Sequence, residues 1–599
     1  MSIDELVKVE ITSVSRRPQS VENAPAAAFL IRQHDIRRSG AVNLAEALRL
    51  APNLHVARLE TLGYSISARG FNGYDTANKL QVLIDGRSIY SLLHSAVYWD
   101  AQDVFLPDLD RIEVVSGPGG TLWGSNAVNG VINVVSKRAL DTQGALANIT
   151  LGTKDRRASA RYGGTLGDRA AYRFYVQGFE REHPNPLAGI DLGDDWNGLQ
   201  GGFRVDLDGG ADSFTVQGDV SDFETEVEVA GLPTFHWGLE GENVLARWRR
   251  DLNGGAALEL QGYVDRSRRD YFGVVERVDT YATEFQHNFA PWEGHRIVWG
   301  GGHRIIRDDF RNTLNAFVLD PRKRWLNLSD VFVQDEMALT PELALTLGLK
   351  LERSSFTGWE YLPNARLAWQ APEGALLWTA VSRAVRTPSR VDRELVAPGV
   401  LVRGSFGSEK LIAFEAGYRG RPLDRTSLSV STFFNVYDDI RTTEPVTTAP
   451  LPLALANGIR GESWGVEVWG EYLLTDWWRL SAGATILRKD FRLKGGRNDR
   501  ANFAAVGNDP DWHGQVRSRM NLAGGLELDL AVRTVDDLSA PALPGYTLVD
   551  ARLGWRLLDS LELSLAGDNL LNERHTEMTE NPARRVFGRT VQLRARWSL

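Results

Sequence analysis

From about residue 140 to the C-terminus, apolar and polar residues alternate with a period of two. In "SLSVSTFFNVY", Leu428, Val430, Thr432, Phe434 and Val436 share one face, opposite Ser427, Ser429, Ser431, Phe433 and Asn435. "ALTLGLKLE" sets Leu345, Leu347, Leu349 and Leu351 against Thr346, Gly348, Lys350 and Glu352. "VQLRARWSL" does the same with Val591, Leu593, Ala595, Trp597 and Leu599. Successive strand side chains point to opposite faces, so each segment lies between an apolar medium and a polar one. A row of soluble β-sandwiches would alternate too. Against that stand a pattern sustained for more than 450 residues without a linker and segments of about ten residues, the length of a tilted membrane-crossing strand. Long polar stretches such as "RKDFRLKGGRNDRANFAAVGNDPDW" alternate with short turns such as "LTPEL" and "DLNGG". About 21 residues per strand and loop gives about 22 antiparallel strands, the size of membrane barrel whose lumen is plugged.

Residues 21–139 follow another pattern, an α+β domain of ordinary size. A strand in "SVENAPAAAFLI" is followed by a helix starting at Asn43, with Leu44, Ala47 and Leu48 at helical spacing and Pro52 stopping it. "LQVLIDGRSIY" reads as a hairpin about an Asp85-Gly86 turn. "SGPGGTLWGSNAVNGVINVVSK" resembles a phosphate-binding loop at first sight. A P-loop needs Lys-Ser or Lys-Thr after its glycine, whereas Gly120 is followed by Thr121, Leu122 and Trp123. A dinucleotide site needs a helix where Val131 to Val135 read as strand. A nucleotide site is therefore not expected, and the stretch calls for another explanation.

Composition narrows the function. A net charge of −9 gives no general basic surface, which argues against nucleic acid as the main partner. Absence of cysteine removes disulfides, thiolate metal sites and cysteine nucleophiles, and suits an oxidising compartment. Eighteen tryptophans and 58 glycines suit a many-turned β-protein with aromatic belts. The 10 histidines are scattered, with no metal spacing and no nucleophile–base grouping, so neither an enzyme nor a resident cofactor is expected. Asp191, Asp194 and Asp195 read as a solvated acidic loop rather than a calcium site. No apolar run reaches about 18 residues, and the opening lacks a basic region followed by an apolar core. An exported chain with this start is expected to be a mature form carrying an added methionine, or one whose start is misassigned.

"ISARGFNGYDTANKLQVLIDGRSIY", "DRIEVVSGPGGTLWGSNAVNGVINVVSK", "SRAVRTPS" and "LSLAGDNLLNERH" closely resemble the TonB-dependent outer-membrane receptors, over essentially the whole chain. The resemblance implies a flexible N-terminal segment (1–20), a plug (21–139) and a 22-stranded barrel (140–599) in the bacterial outer membrane, monomeric amid lipid and lipopolysaccharide. It implies active import of a scarce ligand, most commonly a ferric siderophore or similar metal chelate, with cobalamin, haem, other metal complexes or carbohydrate as alternatives. The energy would come through TonB and the inner-membrane ExbB/ExbD motor. A passive porin would lack residues 1–137. "LVKVEITSVSRR" resembles a TonB box, placed here at Val9, Glu10, Ile11, Thr12 and Ser13, a β-prone stretch able to add to a partner's sheet edge.

In that family an arginine commonly precedes the Gly-Pro of the plug strand and pairs with barrel glutamates; here Ser116 stands there. Arg69 and Arg111 are the candidate plug arginines, and Glu415 and Glu467, on the inward phase of their strands, the candidate partners. The family's ligands meet the plug apices, where this chain offers Tyr64, Arg69, Phe71, Tyr74, Tyr90, His94, Tyr98 and Trp99. The closing residue is Leu599 rather than the family's usual aromatic, with Trp597 on the same face.

Overall fold

A computed structural model of the protein describes residues 10–186, 195–227, 235–271, 273–313, 316–372, 374–578 and 585–599. Twenty-two antiparallel strands close into a barrel, the first (Gly144–Gly152) pairing with the last (Thr590–Ser598) from Leu146↔Ser598 to Gly152↔Gln592. The alternation has the phase read from the sequence: Leu347, Leu349 and Leu351 are exposed on the outer face, while Thr346, Lys350 and Glu352 are buried in the lumen. Val591, Leu593, Trp597 and Leu599 also face outward. Exposed tryptophans stand at both rims. Trp292 and Trp477 lie in turns, and Trp325 and Trp359 open strands at the opposite rim, as expected of the two interfacial belts of a membrane barrel. The turn rim carries short connections such as 252–256 and 476–477; the other rim carries the longest, 387–408, 494–511 and 569–589. Not all loops there are long, since 153–154 and 355–357 also close strands at that rim.

The lumen holds the N-terminal domain. Its strands are β1 (Glu10–Ile11), β2 (Gln19–Ser20), β3 (Ala27–Arg32), β4 (His55–Arg58), β5 (Tyr64–Ser67), β6 (Leu80–Ile84), β7 (Arg87–Ser88), β8 (Leu109–Ser116) and β9 (Gly130–Ser136). Its helices are α1 (Gln33–Arg38), α2 (Leu44–Leu48) and α3 (Gly120–Trp123). The sheet runs β3-β8-β9-β6-β7, with β6 and β9 parallel and β3 at the edge. Leu44, Leu48, Ile66, Val82, Ile112 and Ile132 form its core. Asn43 caps α2, its side-chain oxygen accepting from the Glu46 N–H at 2.8 Å. Asp85 and Gly86 both have positive φ, 52° and 88°, the signature of a two-residue hairpin turn.

Two elements depart from the sequence reading. Helix α1 was not expected, because it buries only Ile36 and so carries no apolar period. The segment before the plug is not a free tail from Glu10 onward: β1 pairs with β2, and Ile11 and Val14 pack on Ala24, Ala26, Ala28 and Val115. Within the glycine-rich stretch, a Cβ at Gly117 would collide with the Glu415 carboxylate, so glycine there admits a lumen side chain.

Candidate ligand vestibule, plug lock and coupling segment

The loop following β7 brings His94 and Tyr98 to the apex, where their rings stack at 5.2 Å and 10°. Tyr74, from the loop following β5, is 47 % exposed and lies 5.7 Å from His94. The barrel completes this column. Arg269, on the strand Ala257–Tyr271, lays its guanidinium 4.0 Å over Tyr98 and donates to both oxygens of Asp100, at 2.9 and 2.7 Å. The Tyr98 hydroxyl donates to Glu276 at 3.3 Å. Burial lowers the His94 pKa, so its imidazole is neutral at pH 7 and offers one donor and one acceptor. Aromatic planes, a neutral imidazole and a fixed guanidinium together suit a flat or chelated, oxygen-bearing ligand.

The other expected ligand residues do not line this vestibule. Tyr64 donates its hydroxyl to Glu46 at 2.9 Å, and Tyr90 donates to the Asn78 carbonyl at 3.0 Å; both are buried. Trp99 belongs to the plug core. Phe71 is fully buried, 5.1 Å from Tyr437 and 5.8 Å from Phe491 of the barrel wall. Large aromatic surfaces favour burial, and each of these finds a partner inside the lumen. Arg69 is buried as well, in a different role.

Arg69 bridges plug and barrel. Its Nη1 donates to Glu415 Oε1 at 2.7 Å, its Nη2 to Glu467 Oε2 at 2.9 Å and its Nε to Glu467 Oε1 at 3.2 Å. The Arg69 side chain is 0 % exposed, as is that of Glu467. Burial alone would lower the Arg69 pKa, but the two carboxylates outweigh it and raise it. The loop is held in an uncommon shape, with φ of 55° at Arg69 and 69° at Phe71. Asp509 of the barrel secures it by accepting from the backbone N–H groups of Phe71 and Asn72, at 2.9 and 2.8 Å. Beside this lock, Lys79 pairs with Glu409 at 2.5 Å, and Arg386 joins Glu409 to Asp392.

Arg111 does not reach a barrel carboxylate. It sits two residues from Glu113 on the same face of β8 and donates to it at 2.8 Å, and to Asp110 at 2.6 Å. The local pairing wins because it needs no ordering across the lumen. Its consequence lies at the opposite end from the vestibule. Glu113 Oε2 accepts from the N–H groups of Thr12 and Ser13, at 3.0 and 2.9 Å, and from the Ser13 hydroxyl. Trp123 Nε1 donates to the Ser13 carbonyl at 2.8 Å. Thus Glu10, Ile11, Thr12 and Ser13 are clamped to the plug, while Val9 lies outside the described residues. Replacing Glu113 by glutamine is expected to free this clamp, since bonds to a charged acceptor contribute about 1.5–3 kcal/mol each. Trypsin cleavage after Arg16 in isolated outer membranes should then quicken by about tenfold or more, Arg17 being protected by the Pro18 that follows it.

Sequence reading missed Arg269, Asp100, Glu276 and Glu113. The first three carry no local signal, because the pairing of Arg269 with Asp100 spans 169 positions. Glu113 had one, the i, i+2 relation to Arg111. Among the described residues no group of three or more His, Asp or Glu side chains could hold a metal ion. Asp195 accepts from the backbone N–H of His183 at 2.7 Å, and Asp191 and Asp194 lie outside the described residues.

Comparison with known proteins identifies the whole assembly. Residues 20–131 match the TonB-dependent receptor plug domain, and residues 117–570 match the TonB-dependent receptor-like β-barrel. The iron-regulated outer membrane virulence protein of Vibrio cholerae is 24 % identical over 93 % of this chain and 90 % of its own length. The vitamin B12 transporter BtuB of Vibrio vulnificus is 27 % identical over 32 % of this chain and only 30 % of its own length. Two solved structures from Pseudomonas aeruginosa share the fold: a ferric enterobactin receptor, PfeA (TM-score 0.81, 15 % identity, covering 99 % of this chain and 100 % of that one), and the siderophore receptor PirA (TM-score 0.75, 16 % identity, covering 96 % and 99 %). With a plug and a 22-stranded barrel both matched, this chain belongs to the TonB-dependent receptors.

Proposed function

We propose that the protein imports a ferric siderophore or similar metal chelate across the bacterial outer membrane. The observation that carries this reading is the column Tyr74–His94–Tyr98 with Arg269, which sets aromatic planes and a cation at an apex of the plug where Tyr74 is open to solvent. Siderophore receptors among its fold relatives and an iron-regulated relative along most of its length support the ligand class. The local likeness to a vitamin B12 transporter favours cobalamin as the second reading. Glu10 to Ser13, with Val9 before them, act as the segment that TonB grips, with ExbB/ExbD as its motor, and the barrel works as a monomer in lipid and lipopolysaccharide.

Titration of the purified protein with ferric catecholate, ferric hydroxamate, haem and cobalamin, followed by tryptophan fluorescence, tests the ligand. One chelate is expected to bind, and Tyr98→Ala to weaken it by about tenfold, the loss of one aromatic stacking contact and its cation partner. Binding of cobalamin alone, or Tyr98→Ala without effect on any ligand, would sink the assignment.

A further inference from the structure

The plug meets opposite sides of the barrel in two physically different ways. On one arc, from the strand Leu343–Ser354 to the strand Leu453–Thr475, the contacts at the level of Arg69 are dry, while a second cavity opens toward the turn rim between β3 and Arg419, Ser429 and Trp469. Arg69 pairs there with Glu415 and Glu467, and Tyr437 donates its hydroxyl to Asn129 at 2.9 Å. The Ser125 N–H donates to Glu352 at 3.1 Å and Thr121 to the Leu362 carbonyl at 2.9 Å. On the other side stand five consecutive strands: Trp512–Asn521, Leu526–Val535, Tyr546–Leu558, Leu561–Asp568 and Thr590–Ser598. A cavity of about 230 Å³ lies between them and α1, α2 and the loop joining these helices, bridged by hydrogen bonds from Gln592 to the Gly40 carbonyl at 2.6 Å and from Arg594 to the Ala41 carbonyl at 3.1 Å.

The cavity runs along most of the lumen. Lys154 and Gly588, in loops at the long-loop rim, line one end; Arg38, which donates to Asn521 beside a turn, lines the other. Ion pairs span it: Arg38 with Asp529, 9 % and 11 % exposed at their side chains, and Asp35 with Arg519, 15 % and 13 %. Arg49 with Glu577 is drier, at 9 % and 3 %, whereas both partners of Arg69–Glu467 stand at 0 %. A pair that water reaches can exchange its partner for solvent, whereas breaking a fully buried pair strands a charge. Polar groups also lack partners here: Arg533 Nε and Arg181 Nη1 are buried without a hydrogen bond, and both residues line the cavity. The route a pull would take points the same way. Tension applied at Glu10 to Ser13 is met first by the Glu113 clamp and the β1–β2 pair; once these yield it passes along the chain to β3, an edge strand paired only with β8, and then to α1 and α2, which wall the cavity.

We propose that the imported ligand crosses the lumen through this cavity, along the wall formed by the strands from Trp512 to Ser598, while β6, β8 and β9 stay seated on the opposite arc. The ligand chemistry implied is that of an oxygen-rich chelate, whose acceptors take up the free guanidinium donors of Arg181 and Arg533 in transit. This rests on the import reading above.

The cysteine-free chain allows the path to be closed with engineered disulfides. A Cβ at Gly40 would stand 3.5 Å from that of Ala566 on the cavity wall, and one at Gly120 would stand 3.6 Å from that of Leu362 on the dry arc. Both fit the disulfide range of about 3.5–4.5 Å. Gly40→Cys/Ala566→Cys is expected to keep ligand binding, to lose uptake at least tenfold when oxidised and to regain it on reduction. Gly120→Cys/Leu362→Cys should transport in both states. Both pairs transporting, both blocking, or the reverse pattern would overturn the proposal.

Because Gly40 has a positive φ of 78°, a second measurement guards against a folding defect. Single variants Ala531→Cys, on the cavity wall, and Ala413→Cys, on the dry arc, would be labelled with a membrane-impermeant maleimide. Labelling of Ala531→Cys should rise in energised cells over cells lacking TonB, and that of Ala413→Cys should not. Equal behaviour of the two sites overturns the path. If the unaltered protein takes up none of the chelates, the ligand reading fails instead, and the labelling still decides where the lumen opens.

Discussion

Arg69→Ala is expected to destabilise the plug inside the barrel by about 3–5 kcal/mol, the cost of removing one partner from a buried ion pair. The effect is large because two carboxylates depend on one guanidinium. Glu415 and Glu467 would remain in a site that excludes water, 5 % and 0 % exposed at their side chains. The backbone adds to it, since the positive φ at Arg69 and Phe71 persists only while the surroundings dictate it. Glu467→Gln should cost less, because Arg69 keeps Glu415. Urea unfolding of the plug, followed in the intact protein, reads the difference as a shift in midpoint. A change below about 1 kcal/mol for Arg69→Ala would mean that water enters the lock and that the pair behaves as a surface one.

The second large effect is expected at the other end of the plug. Ile11→Pro should reduce uptake to the level of cells lacking TonB while leaving ligand affinity unchanged. Proline removes a backbone donor from the stretch that must add to a partner's sheet edge. In the resting structure it also disturbs the β1–β2 pairing and the cluster of Ile11 with Ala24, Ala26 and Val115. The Glu113→Gln variant separates the two roles: it loosens the same segment without altering its strand-forming residues, so it should retain uptake. Loss of uptake in both variants to the same degree would make the clamp itself, rather than strand addition, the functional element.

The barrel was legible in the sequence because a membrane imposes one rule on every strand. Leu347, Leu349 and Leu351 had to face lipid, and Lys350 and Glu352 could then only face inward, so phase followed from composition. By the same rule the inward placing of Glu415 and Glu467 could be read before their partner was known. Local plug features were equally plain, since Asn43 and Asp85-Gly86 act within three residues of themselves. What could not be read was pairing across the lumen. Arg69 and Arg111 look alike as sequence, yet one finds Glu415 and Glu467 on strands hundreds of residues away and the other finds Glu113 two residues on. The vestibule was half legible for the same reason: Tyr74, His94 and Tyr98 came from the plug, while Arg269 came from a barrel strand that no local pattern ties to them.

The most direct test of active import is uptake of labelled ferric siderophores, haem and cobalamin by cells with this protein, without it, and with Ile11→Pro. One ferric chelate should accumulate only in cells with the unaltered protein, while the Ile11→Pro cells bind it at the surface and do not accumulate it. Accumulation that persists undiminished in Ile11→Pro cells would contradict the account, because the lumen would then be opening without TonB.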